Sequence, residues 1–133
     1  MSFLPRVLLF SALSLTTPFF PVTYTHLDVY KRQRAKGFDT FCPMGPLVTD
    51  EIDPRAGLTV ETRLNGEVKQ QGTTRDLIFD IAALLRHITA AMTLLPGDVI
   101  PTGTPAGVAP MKPGDRVEVT VEGIGTLENP VES

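Results

Sequence analysis

The steadiest alternation of apolar and polar side chains runs from Leu58 to Leu64, with Leu58, Val60, Thr62 and Leu64 on one face and Thr59, Glu61 and Arg63 on the other. A period of two is that of a strand with one face covered. Asn65-Gly66 follows. That dipeptide takes positive φ readily at both centres of a type I′ turn, so Glu67 to Gln71 is expected to return as the partner strand of a hairpin. From Ile81 to about Leu94 the period changes: Ile81, Leu84, Leu85, Ile88 and Leu95 make a helical stripe, widened by Ala91 and Met92 and opened by Asp80 as N-cap. Pro96-Gly97 ends the helix, and Asp98 to Thr102 reads as a short buried strand entering the loop TGTPAGVAP. After a turn at Lys112-Pro113-Gly114-Asp115, Arg116 to Val121 alternates with Val117, Val119 and Val121 on one face, and Thr126 to Val131 reads as a last strand. Ahead of the hairpin, Lys36 to Leu47 interleaves Gly and Pro with Phe38, Phe41 and Met44, which suits an extended segment. The expectation is an α+β, β-rich fold with one main helix and five or six strands.

Length allows one domain, and a formal charge of −3 over 133 residues offers no footprint for nucleic acid. The single cysteine, Cys42, has no internal disulfide partner, which points to a reducing compartment and a cytoplasmic location. The longest apolar stretch is broken by Pro5, Arg6, Ser11, Ser14, Thr16 and Thr17, short of the roughly 20 residues that span a bilayer, so no membrane partner is expected.

Composition is uneven along the chain. All eleven glycines lie at or after Gly37, and residues 1–33 carry a balance of +2 against −5 for the remainder. Thr23 to Gln33, TYTHLDVYKRQ, resembles a translated adaptor sequence, and residues 1–33 are expected to be a non-native or disordered extension to a domain at 34–133. A genuine export signal is the alternative for the opening apolar run, although no small-x-small cleavage site follows it.

Read residue by residue, the strongest chemical feature is Thr102-Gly103-Thr104-Pro105-Ala106-Gly107-Val108. Gly103 permits close approach of a ligand to the main chain, and Thr104 offers a hydroxyl and an N–H suited to a carboxylate; a tight turn needing Gly and Pro for backbone reasons alone is the competing reading. Lys36, among small and apolar residues, is either a partly desolvated ammonium able to stabilise an oxyanion or a solvated lysine. His87 has no carboxylate at helical spacing, Cys42 no neighbouring base, and Asp50, Glu51 and Asp53 suit a solvated turn better than a metal site. These residues alone define no reaction.

Three longer strings narrow the choice. AKGFDTFCPMGPLV at 35–48, RLNGEVKQQGTTRDLIFDI at 63–81 and MTLLPGDVIPTGTPAGVAPMKPGDRVEVTVEGIGTLENPV at 92–131 resemble the C-terminal part of the catalytic domain of the fumarylacetoacetate hydrolase family. The resemblance implies an incomplete mixed β-roll and, in the intact parent, a homodimer. It further implies a Mg²⁺ or Mn²⁺ ion acting as Lewis acid on the enolate of a small-molecule 2-oxo acid. Carried over by position, Lys36 is the catalytic lysine beside the metal, Thr40 a hydroxyl near the ion, and Gly103 with Thr104 the part that binds the substrate carboxylate. The family's Glu-x-Glu pair and Asp, which ligate the metal, have no counterpart: residues 1–33 contain no glutamate, so no first-shell ligand is expected in this chain. The expected function is therefore that of a truncated 2-oxo (di)acid hydrolase, decarboxylase or isomerase, of the acylpyruvate hydrolase or 2-hydroxyhepta-2,4-diene-1,7-dioate isomerase type, inactive alone. The alternative is a noncatalytic binding or assembly module that pairs with a separate half.

Overall fold

A computed structural model describes Thr40 and residues 42–132. Four strands, β1 (Thr59–Leu64), β2 (Glu67–Thr73), β3 (Arg116–Val121) and β4 (Gly125–Pro130), form one sheet in the order β2-β1-β3-β4. All three pairings are antiparallel. One α-helix, α1 (Ile81–Thr89), and single 3-10 turns at Pro54–Ala56 and Thr74–Asp76 complete the regular structure, giving the α+β, β-rich class.

The hairpin forms where the pattern places it. Asn65 and Gly66 have φ of 53° and 82°, as a type I′ turn requires. Asn65 also ties the turn to β3: its side-chain amide donates to Asp115 Oδ1 at 2.9 Å, and its Oδ1 accepts from the Arg116 N–H at 2.8 Å. The Asn65 hydrogen bond, followed by the N–H of Lys112, holds the Asp115 carboxyl below its ordinary 3.8. A carboxyl lowered in the folded state stabilises at neutral pH, and that contribution is lost as pH falls through the folded-state value. Asn65→Ala is accordingly expected to cost about 1 kcal/mol through the left-handed backbone alone, seen as faster amide exchange across β1 and β2. It should also flatten the loss of protection on acidification; an acid response identical to that of the unsubstituted chain would contradict the coupling.

Two expectations are corrected. The helix ends at Thr89 rather than near Leu94. The Thr89 hydroxyl donates back to the Leu85 carbonyl at 2.8 Å, and the Ala91 N–H turns to the Ile88 carbonyl, tightening the last turn out of α geometry. Residues 98–102 form no strand, which leaves four strands instead of five or six. Asp98 is spent on the preceding turn, where its carboxylate accepts from the Leu95 N–H at 2.8 Å, and Pro101 has no N–H for a ladder. The sheet is made in the order β2-β1-β3-β4 without this segment, which runs on to line the cleft at Thr102 and Gly103.

Cross-strand partners share a face. Thr62 lies opposite both Gln70 and Val119, Val60 opposite Gly72 and Val121, and Leu64 opposite Val117. That face carries the segment after the helix. Among the described residues, Val117 is the sole buried large apolar side chain, whereas the buried polar ones are Thr62, Gln70 and Thr74. Ile78 is 91% exposed and Phe79 64%, with Met92 and Leu95 also open. The best-covered part of this sheet is polar, which marks a place built for contacts other than hydrophobic packing.

Candidate functional site

A cleft of about 320 Å³ opens between the sheet face and the 102–105 segment, lined by Val60, Gly72 and Val121 from the strands, by Thr73, Thr74, 76–79 and Leu84, and by Thr102, Gly103, Thr104 and Pro105. Sequence spacing brings the loop here through close backbone approach. A Cβ on Gly72 would meet Pro105 at 3.2 Å, and a Cβ on Gly107 would fall on the Lys69 carbonyl oxygen, with the carbonyl carbon at 3.0 Å. Gly103, at φ 114°, faces open space with nothing within 4 Å of where a Cβ would stand, so its main chain is accessible.

Gln70, 1% exposed, holds the loop. Its amide nitrogen donates to the Pro105 carbonyl at 2.7 Å and to Thr104 Oγ1 at 2.9 Å. The sequence contains little sign of this role. Strict alternation from Val68 would put Val68 and Gln70 on one face, but the register slips between Thr62 and Arg63, so that Val68 pairs with Arg63 and Gln70 with Thr62. This β-bulge at Lys69 turns Gln70 inward and leaves Val68 41% exposed.

Gly103 and Thr104 thus lie together in the cleft. Thr40 is exposed and adopts φ 68°, a left-handed conformation that costs a β-branched residue energy and recurs at functional sites. Lys36 lies outside the described residues, as does the expected 1–33 extension. Cys42 and His87 are exposed. In the acidic turn Asp53 is engaged by Arg55, whose guanidinium donates to both carboxylate oxygens and, as the largest cause, lowers the Asp53 carboxyl. Asp76, a cleft residue, accepts from the Thr73 N–H at 2.7 Å in a capping box. Asp76 is the charged residue among those lining the cleft, so positive charge for an anionic ligand must come from outside this lining.

The described residues do not fit a divalent ion. A hard cation takes six or more oxygen ligands that include carboxylates, and among the described residues no three of His, Cys, Asp and Glu converge. Two threonine hydroxyls, Thr40 and Thr104, do not replace such a set.

The family model for the fumarylacetoacetate (FAA) hydrolase C-terminal region matches residues 19–132, a range that takes in residues 19–33. Oxaloacetate tautomerase YisK of Bacillus subtilis is 40% identical over 120 residues, covering 80% of this chain and 40% of that protein. The crystal structure of 2-hydroxyhepta-2,4-diene-1,7-dioate isomerase from Mycobacterium marinum superposes with a TM-score of 0.71 at 50% identity, over 80% of this chain and 43% of that one. Maleylpyruvate hydrolase from Sphingobium sp. SYK-6, in complex with manganese(II) and pyruvate, gives a TM-score of 0.70 at 41% identity, over 74% and 38%. The chain spans less than half the length of the curated relatives it matches. No helix of the described residues is long and apolar enough to cross a membrane.

Proposed function

Because the chain belongs to the fumarylacetoacetate (FAA) hydrolase C-terminal family, we propose that the cleft on its sheet face is the carboxylate-binding wall of a site for 2-oxo acids. The relatives are isomerases, hydrolases and a tautomerase, and one is in complex with manganese(II) and pyruvate. The whole enzyme would hydrolyse, decarboxylate or isomerise a 2-oxo (di)acid. In this chain Thr104 donates to the substrate carboxylate, and Gly103 lets that group reach the main chain. Lys36 would neutralise the bound anion, with Thr40 at the margin of the site. Alone, the chain would bind weakly and turn nothing over, since among the described residues no carboxylate set for the metal accompanies the hydroxyl wall. The intact parent would be a cytoplasmic homodimer.

One observation carries this reading: the Thr104 hydroxyl is fixed by a buried amide at the mouth of an open cleft, next to a glycine whose backbone is bare. A turn required for backbone geometry alone has no need of a buried side chain holding its hydroxyl. Thr104→Val keeps the shape and removes the hydroxyl. It is expected to weaken pyruvate binding by the chain roughly tenfold, measured by NMR titration. Unchanged affinity would sink the assignment of Thr104.

The open apolar side chains Ile78, Phe79, Met92 and Leu95 favour a second reading, in which the chain is a noncatalytic module that pairs with a separate half. Co-purification with a partner carrying Glu-x-Glu, without any 2-oxo acid binding by the pair, would favour that reading over the first.

A further inference from the structure

The sheet is two hairpins joined along one line. In the order β2-β1-β3-β4 the pairing of β1 with β3, residues 60–64 against 117–121, is what connects β1-β2 to β3-β4. The outer ends of the hairpins are closed by groups that do not titrate in acid. The Thr74 N–H donates to the Leu58 carbonyl at 3.0 Å, and the Thr74 hydroxyl accepts from the Leu58 N–H at 2.9 Å. On the other side the Val131 N–H donates to the Asp115 carbonyl and the Gly114 N–H to the Val131 carbonyl, both at 2.8 Å. The two ends of the seam between the hairpins are closed differently. At one, Glu122 Oε2 accepts from the Thr59 N–H at 3.0 Å, beside the bond from the Glu122 N–H to the Thr59 carbonyl at 2.9 Å. At the other, Asp115 Oδ1 accepts from the Asn65 amide at 2.9 Å, and the Asn65 N–H donates to the Arg116 carbonyl at 2.9 Å. Each end thus carries a carboxylate, one on either flank of β3.

We infer that the β1–β3 seam is an acid-sensitive line built into the fold: protonation of Asp115 and Glu122 parts the two hairpins there, and with them the floor of the cleft. Val60 and Val121, which lie opposite each other at the Glu122 end, both line that cleft. A neutral carboxyl is a weaker acceptor than a carboxylate, so both closures loosen together. The Asn65 hydrogen bond is the largest cause that holds the Asp115 carboxyl below its ordinary 3.8, and the Thr59 N–H is the largest that holds Glu122 below its ordinary 4.5. Groups lowered in this way stabilise while ionised, and that contribution is lost as pH falls through their folded-state values. Lys112, on the turn of Asp115 itself, adds attraction to that carboxylate. Against the Glu122 turn packs uncharged Ile52, whose Cδ1 lies 3.1 Å from where a Cβ on Gly123 would stand. The remaining charges of the seam lie on the face away from the cleft: Arg63, opposite Glu118, bonds Glu61 at 2.7 Å, and Arg116 bonds Glu128 and lies 3.5 Å from Glu118.

Amide exchange of the full chain, followed by NMR from neutral pH into the acid range and corrected for intrinsic rates, tests this. Protection of the Thr59, Asn65, Arg116 and Glu122 amides is expected to fall about tenfold further than that of the Leu58, Thr74, Gly114 and Val131 amides. The midpoint should match the titration of the Asp115 and Glu122 carboxyl carbons, and contacts between the Val60 and Val121 methyls should fade with it. The double variant Asp115→Asn, Glu122→Gln keeps an acceptor of the same shape at each end and does not titrate. There the additional fall should vanish, and any acid response left belongs to Glu61, Glu118 and Glu128. Equal losses in the two sets of amides, or an additional fall that survives in the double variant, would overturn the inference. Should the double variant not fold, the unsubstituted chain decides: loss of the seam at a midpoint away from both carboxyl titrations would overturn it equally.

Discussion

Gly107→Ala is expected to unseat the whole 102–108 loop and to cost roughly 3 kcal/mol, combining backbone strain with overpacking. The φ of 106° is a region L residues avoid, and the added methyl would stand on the Lys69 carbonyl at the bulge of β2. That carbonyl belongs to the unpaired residue of the bulge, flanked by Val68 paired with Arg63 and Gln70 paired with Thr62, so it can retreat only by shifting those neighbours. Gly103→Ala is the internal control. Its φ of 114° carries similar strain, yet its methyl would enter open space. It should cost about 1 kcal/mol and leave the loop in place. Urea titration ranks the two, and the Gln70 side-chain amide signals report whether the loop still sits on the sheet. Equal costs for both substitutions would mean that the loop does not rest on Lys69.

The second large effect is on activity. With oxaloacetate and either Mg²⁺ or Mn²⁺, the chain by itself is expected to show no turnover above the rate of the ions alone. The reason lies in the donor set. Among the described residues no three carboxylate, imidazole or thiol groups converge, and hydroxyl oxygens do not neutralise a divalent charge. Asp53 is committed to Arg55 and Asp76 to its capping box, so neither can be recruited without undoing local structure. Metal-dependent turnover that disappears in Lys36→Ala would show that the missing ligands are supplied by residues outside those described.

How much of this could be read from the residues varies with the range of the physics involved. The hairpin, the Asp80 cap and the 112–115 turn are local events, and each formed where short-range rules put it: Asp80 Oδ1 accepts from the Ala83 N–H at 2.6 Å, and the Asp115 N–H bonds the Lys112 carbonyl. The 98–102 strand is absent where Asp98 is spent on the preceding turn and Pro101 has no N–H for a ladder, constraints that a run of apolar residues does not reveal. Gln70 was hidden for a related reason. It looks like one more polar residue in KQQ, and only the slip at Lys69 turns it inward. Thr104 and Gly103 were legible because the loop needs unusual residue types, and the structure places them together in the cleft. The reaction class came from long matching strings rather than from any local rule, and the FAA hydrolase C-terminal match bears out the family.

The most direct test is a pyruvate titration of the isotopically labelled chain in EDTA. Saturable, weak shifts confined to Thr102–Val108 and the Gln70 side chain are the predicted outcome. Binding that appears only after Mn²⁺ is restored, or that maps away from this loop, would contradict the account.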